Sequence, residues 1–128
     1  MIDWLTTNYP DLHITADGRS IRFADPLVDA KLATTWGDGI GTTIQDTQAI
    51  TAIPGNFFGS TAITSFNELN DLTTITSVDW GGFYGCSNLT SVGLNNIRAV
   101  GFQSFLQCGL TGVINLPLIQ TIGGTVWN

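Results

Sequence analysis

Apolar residues in this chain recur in short, regularly placed groups rather than in long runs. Ile50-Thr-Ala-Ile53, Ile75-Thr-Ser-Val78, Ile97-Arg-Ala-Val100 and Ile119-Gln-Thr-Ile122 follow one another at offsets of 25, 22 and 22 residues. An aromatic keeps the same phase, because Phe58, Phe83, Phe105 and Trp127 each lie five residues beyond the end of a group. Cys86 and Cys108 share a further column, three residues after Phe83 and Phe105. Between these groups lies a second set of apolar runs, Ile63-Thr-Ser-Phe66, Leu89-Thr-Ser-Val92-Gly-Leu94 and Leu110-Thr-Gly-Val113-Ile-Asn-Leu116. All are rich in β-branched residues or leucine and bounded by Gly, Asn and Ser, the pattern of short strands. A unit of about 22 residues cannot bury its own apolar face, whereas stacking at about 4.8 Å per unit turns each column into a continuous ladder. The periodicity predicts a solenoid over residues 50–128, three coils and a partial fourth.

Residues 1–49 carry no such period and read as an N-terminal cap of hairpin plus short helix. Asp17-Gly18 stands between the alternating segments Leu12–Ala16 and Arg19–Phe23, a hairpin signal. Asp25 and Pro26 form an N-cap and N1 pair opening a helix through Leu27, Val28, Ala30, Lys31 and Leu32, which Asp38-Gly39-Ile40-Gly41 ends. Such a cap covers the core and strand edge that the first coil otherwise exposes.

The segment Phe83-Tyr-Gly-Cys86-Ser-Asn-Leu89-Thr-Ser-Val92, following Ile75-Thr-Ser-Val78, resembles the BspA-like leucine-rich repeat. That family occurs in surface proteins of gut bacteria and in proteins of their phages. The resemblance covers residues 50–128 and implies an α/β leucine-rich-repeat solenoid, predominantly of short parallel β-strands with little helix. The stretch from Ile21-Arg-Phe23-Ala-Asp25-Pro26 through Trp36-Gly-Asp38-Gly39 to Phe57-Phe58-Gly59 resembles the leader that introduces such repeats. In relatives the middle of this leader can look like a calcium loop. Here Thr34 and Trp36 stand where its first carboxylates belong, so no calcium site is expected.

Charge narrows the function further. Apolar residues make up 43% of the 128 positions and charged ones 11%, with 4 Lys and Arg against 10 Asp and Glu, a net charge of -6. So few cations argue against nucleic acid as a partner, and no stretch is long and apolar enough to insert in a membrane. Residues 1–79 hold every carboxylate, while residues 80–128 hold Arg98 alone, and the only histidine is His13. No acid/base pair, metal cluster or phosphate-binding lysine can be assembled in the second half, so the expectation is no catalytic residue, no metal and no cofactor. A convergence of Asp25, Asp29, Asp38 and His13 is what an enzyme reading requires. Trp36-Gly-Asp38-Gly39-Ile-Gly41 lacks the lysine and the spacing of a phosphate loop and reads as turn punctuation. Cys86 and Cys108, at one place in adjacent coils, suit either a buried ladder of reduced thiols or a single bridge.

Three aromatics remain as partner-binding candidates. Trp80 and Phe102 share a column two residues beyond Val78 and Val100, a position the family commonly leaves polar. Either they form an exposed apolar patch or they pack against turns or the cap, and solvent accessibility separates the two. Trp127 stands in the aromatic column of the partial coil, as a lid or an assembly contact. Thr90, Gly93, Asn95 and Asn115 are further expected surface positions. The expected function is a non-catalytic structural or attachment protein that uses its repeat surface for protein–protein contact, with other virion or surface subunits or with itself. The opening Met1-Ile-Asp-Trp-Leu-Thr-Thr-Asn-Tyr-Pro10 has neither the basic nor the apolar stretch of a secretory signal, which directs the expectation to a phage virion component: tail, fibre or decoration protein. The alternative is a bacterial cell-surface adhesion module.

Overall fold

The computed structural model describes residues 20–111 and 113–127. Helix α1 spans Pro26–Thr35 and α2 spans Ile44–Thr47. Six two-residue strands follow: β1 Ala52–Ile53, β2 Ser65–Phe66, β3 Ser77–Val78, β4 Ser91–Val92, β5 Ala99–Val100 and β6 Thr121–Ile122. A 3-10 helix, Asn67–Asp71, succeeds β2. The chain is thus built mostly from short parallel strands with little helix, an α/β arrangement. One sheet runs β1-β3-β5-β6 and the other β2-β4, every pair parallel. Ile53 pairs with Val78, Val78 with Val100 and Val100 with Ile122, the register that the apolar groups predict.

The core lies between the sheets and the aromatic turns. Ile53, Val78 and Val100 are buried on one side, and Ile63, Phe66 and Leu89 on the other. Phe58, Phe83, Phe105 and Trp127 form a column of near-parallel rings, with centroids 5.2, 5.1 and 4.8 Å apart and interplanar angles of 15°, 10° and 16°. Those separations lie close to the strand spacing, so the rings stack in step with the backbone.

The helix begins where Asp25 and Pro26 predict. The Asp25 carboxylate has two tasks: Oδ1 accepts from Leu27 N at 2.9 Å and caps α1, while Oδ2 accepts from Thr64 N at 2.5 Å and Thr64 Oγ1 at 3.1 Å. One side chain therefore starts the helix and fastens it to the approach to β2. Glu68 supports the same junction, accepting from Ala24 N at 3.1 Å. Val28, Leu32 and Ala33 bury the inner face of α1, and Trp36 stacks on Phe57 at 5.0 Å. Of the hairpin expected around Asp17-Gly18, the first arm and the turn lie outside the described residues, as does His13. Its second arm meets the segment before α2, where Ser20 forms an antiparallel bridge with Thr43 and Ile21 N donates to Thr42 O at 2.7 Å.

Two elements depart from expectation. Helix α2 was not predicted; it is held by reciprocal capping in which Asp46 N donates to Thr43 Oγ1 and Thr43 N donates to Asp46 Oδ2. The third run of the second set, Leu110 to Leu116, contains no strand among its described residues. Aligning Leu110-Thr-Gly-Val113 on Leu89-Thr-Ser-Val92 implies an offset of 21, one residue short of the 22 that the first sheet keeps. In the structure Val113 is 88% exposed, while Leu110, Ile114 and Leu116 pack against the core. A slip of one residue carries a side chain to the opposite face, and here it turns Val113 outward and Ile114 inward.

Two consequences can be measured. Val113→Ser should change stability by no more than about 0.5 kcal/mol, whereas Ile114→Ser should cost roughly 1–2 kcal/mol in denaturant unfolding; the reverse order would mean that Val113 is the inward residue. The second concerns pH. Burial acts to raise the Asp25 carboxyl, but hydrogen bonds from Thr64 N, Leu27 N, the Thr64 hydroxyl and Ser65 N outweigh it and hold the group below its ordinary value. A carboxyl depressed in the folded state contributes stability above its unfolded value and loses it as pH falls through the folded one. Asp25→Asn should cost about 1–3 kcal/mol at neutral pH and flatten the loss of stability from about pH 5 towards pH 2.

Candidate interaction surface

Trp80 and Phe102 stand at the same place after neighbouring strands, and their backbones are fixed on both sides. Trp80 O accepts from Asn56 N at 2.9 Å, and Gly81 N donates to Phe102 O at 3.0 Å. With the main chain committed to its neighbours, both side chains project outward: Trp80 is 53% and Phe102 45% exposed. Each ring is thus partly covered and partly open, so both expectations, an exposed patch and packing against turns, describe a part of it. The same place before and after is taken by Gly55 and Gly124, where a Cβ would meet Trp80 Cε3 at 4.0 Å and Phe102 Cδ2 at 3.9 Å. The row Gly55, Trp80, Phe102, Gly124 is therefore a pair of rings bracketed by bare backbone.

Close approach of the backbones beneath these rings depends on glycine. A Cβ on Gly101 would lie 2.8 Å from Trp80 N, and one on Gly123 2.8 Å from Phe102 N. Both contacts are tighter than side chains tolerate, so the strand ends can close up only with hydrogen there.

Beyond the rings the chain turns through left-handed backbone at two fixed phases. Asn56 (φ 59), Gly81 (φ 65), Gln103 (φ 58) and Thr125 (φ 51) occupy the first, and Ser60 (φ 57), Gly85 (φ 74) and Gln107 (φ 60) the second. Only two of the seven are glycine. The geometry is imposed from outside the residue, by a ladder in which Phe58 N donates to Gly82 O at 2.8 Å, Phe83 N to Ser104 O at 2.8 Å and Phe105 N to Val126 O at 3.0 Å.

Trp127 parts company with the other two candidates. It is half-buried, stacked on Phe105, and belongs to the ring column. Ile122, on the edge strand β6, continues the phase of buried Val100 but is 55% exposed. The predicted binding residues thus fall on two surfaces, the lateral Trp80–Phe102 row and the face beyond β6.

Of the expected surface positions, Thr90, Asn95 and Asn115 line one cleft of about 260 Å³ beside β4. Gly93 does not join them: it is buried, and a Cβ there would collide with Asn67 O. A second, apolar groove of about 540 Å³ runs between α1 and the Phe58–Ile63 segment, with Lys31 among its lining residues. Asp25 and Asp38 serve separate backbone turns, for Asp38 Oδ1 accepts from Ile40 N and Gly41 N, both at 2.8 Å. Among the described residues no group of three or more His, Cys, Asp and Glu side chains could hold a metal ion, and no helix is long and apolar enough to cross a membrane. Cys86 is buried, Cys108 partly so, and both are free thiols.

The turn makes a test of what positions the rings. Gly81→Ala should cost about 1 kcal/mol, and Gln103→Gly should gain up to about 1 kcal/mol, because each exchanges a side chain with hydrogen at left-handed backbone; denaturant unfolding of the two variants measures this, and a clear loss in Gln103→Gly would contradict it. Compared with protein families, with curated proteins and with solved structures, the chain has no match.

Proposed function

We propose that this chain is a non-catalytic structural or attachment protein, a BspA-like leucine-rich-repeat solenoid whose Trp80–Phe102 row contacts a protein partner. The solenoid part rests on the pairing of Ile53, Val78, Val100 and Ile122 in one register, on the four-ring column and on the two phases of left-handed backbone. Each recurs at the spacing of the sequence period.

The observation that carries the functional part is the exposure of two large rings, side by side in sequence phase, with Asp79 next to Trp80 and only Arg98 charged beyond it. Exposed apolar area of this kind is costly to leave in water and is the usual centre of a protein interface, with aromatics as anchors. Poverty in cations disfavours nucleic acid. Within this class the resemblance to repeats of bacterial surface and phage proteins points to a virion subunit: tail, fibre or decoration protein.

Photo-crosslinking tests both parts. A photoreactive residue in place of Trp80 or Phe102 should link to another virion protein in purified particles, while the same group at Thr34, exposed on α1, should not. The double variant Trp80→Ser/Phe102→Ser should lose at least tenfold in association with that subunit while its folding free energy falls by no more than about 2 kcal/mol. Undiminished association would remove the rings from the interface. Recovery of the protein from the cell envelope rather than from particles would favour the adhesion module.

A further inference from the structure

Cys86 and Cys108 occupy the same place in successive segments, and Thr61 holds that place before them. All three side chains reach a carbonyl of the ring column. Thr61 Oγ1 donates to Phe58 O at 2.9 Å, Cys86 Sγ to the same Phe58 O at 3.0 Å and Cys108 Sγ to Phe83 O at 2.9 Å. Phe83 O also accepts from Cys86 N at 3.2 Å, so the sulfur of one cysteine and the backbone of the other share an acceptor. Gly109 N donates to Cys86 O at 3.3 Å, tying the two main chains together on the other side. Backbones in such register run roughly 5 Å apart, inside the span of about 4.4–6.8 Å that a disulfide bridges. The neighbouring Cys108 thiol favours the charged form of Cys86, which is drawn down to about 7, while Cys86 and burial push Cys108 up. Near neutral pH the pair is therefore ready to release one proton.

We propose that Cys86 and Cys108 are a thiol pair that exchanges with an external disulfide and closes into a covalent link between the segments bearing Trp80 and Phe102. The two differ in access, for Cys86 is fully buried and Cys108 only partly. An incoming disulfide meets Cys108 first. Cys86, the sulfur that ionises near neutral pH, takes the proton of the more accessible Cys108 as the Cys108 sulfur attacks one sulfur of the external S–S bond; that bond breaks and the departing sulfur takes a proton from solvent and leaves as a thiol. Cys86 then attacks Cys108 Sγ in the mixed disulfide; the second external thiol leaves and takes up the Cys86 proton. Two thiols of the protein are oxidised by two electrons, and one external disulfide is reduced to two thiols. The link is independent of whether the Trp80–Phe102 row binds a partner.

Glutathione disulfide is the probe. Treated while folded, quenched with an alkylating agent and weighed intact, the protein should lose the mass of two hydrogens and yield a peptide joining Cys86 to Cys108. Its Tm should rise by about 5–10 °C and return on reduction, as expected when a loop of this size is closed in a small domain. In Cys86→Ser the exchange should stop at a glutathione adduct on Cys108. That variant keeps an acceptor-seeking hydroxyl where Thr61 already shows one fits, so it should fold. In Cys108→Ser, Cys86 should remain unmodified. The proposal fails if the native protein accumulates the same stable adduct as Cys86→Ser. It fails equally if the folded native protein does not react at glutathione disulfide concentrations that oxidise it once unfolded.

Discussion

The stacked rings of Phe58, Phe83, Phe105 and Trp127 are the constraint on which the remaining geometry depends. Their spacing of about 5 Å is the spacing of hydrogen-bonded strands, so ring contact and backbone ladder are satisfied by one translation. Each buried phenyl contributes several kcal/mol, and each stacked pair about 0.5–1.5 kcal/mol beyond its buried area. Two-residue strands, by contrast, supply few hydrogen bonds and are too short to fix a register alone. The column therefore sets the frame, and the strands, the left-handed turns and the thiol column follow it.

That priority explains what the sequence reveals and what it conceals. Features locked to the column were legible: β1, β3, β5 and β6 fall on the predicted apolar groups, and buried Phe58, Phe83 and Phe105 occupy the predicted phase. Asp25 was legible for a local reason, since an Asp-Pro pair before an apolar face is a helix start wherever it occurs. Leu110 to Leu116 was expected to form a strand because its residue types match Leu89 to Val92; Leu110 packs on the core as Leu89 does, but Val113 turns outward and Ile114 inward, and no strand forms among its described residues. Helix α2 escaped notice because Asp46, rather than Glu or Gln, closes its capping box. The left-handed positions were hidden for a different reason. Asn56, Ser60, Gln103, Gln107 and Thr125 carry no common chemical signature, and their backbone is dictated by neighbours above and below.

The interaction surface shows the same division. That Trp80 and Phe102 share a column could be read from spacing, but not their exposure, which follows from the direction the chain takes at Gly81 and Gln103 after the strand ends. Trp127 was grouped with them on bulk and position alone. Its ring continues the interior stack, so its unburied area is a consequence of β6 being the outer strand of the sheet, as Ile122 also shows.

Charge placement then acquires a physical cause. Among the described residues the two carboxylates buried deepest, Asp25 and Glu68, both serve the junction between helix α1 and the segment around β2, each accepting backbone N–H across it. That junction joins non-equivalent elements, with no repeated ladder to satisfy their polar groups, so charged side chains serve as acceptors. Farther along, successive segments satisfy one another: N–H meets C=O from 81 to 102, 83 to 104 and 85 to 106, and thiols and hydroxyls turn to ring-column carbonyls. A stack that completes its own hydrogen bonding has no use for buried ions, and charge thins along it accordingly. Asp79, exposed beside Trp80, is the last carboxylate of the chain, and beyond it only Arg98 is charged, so contact at Phe102 carries little desolvation of ions.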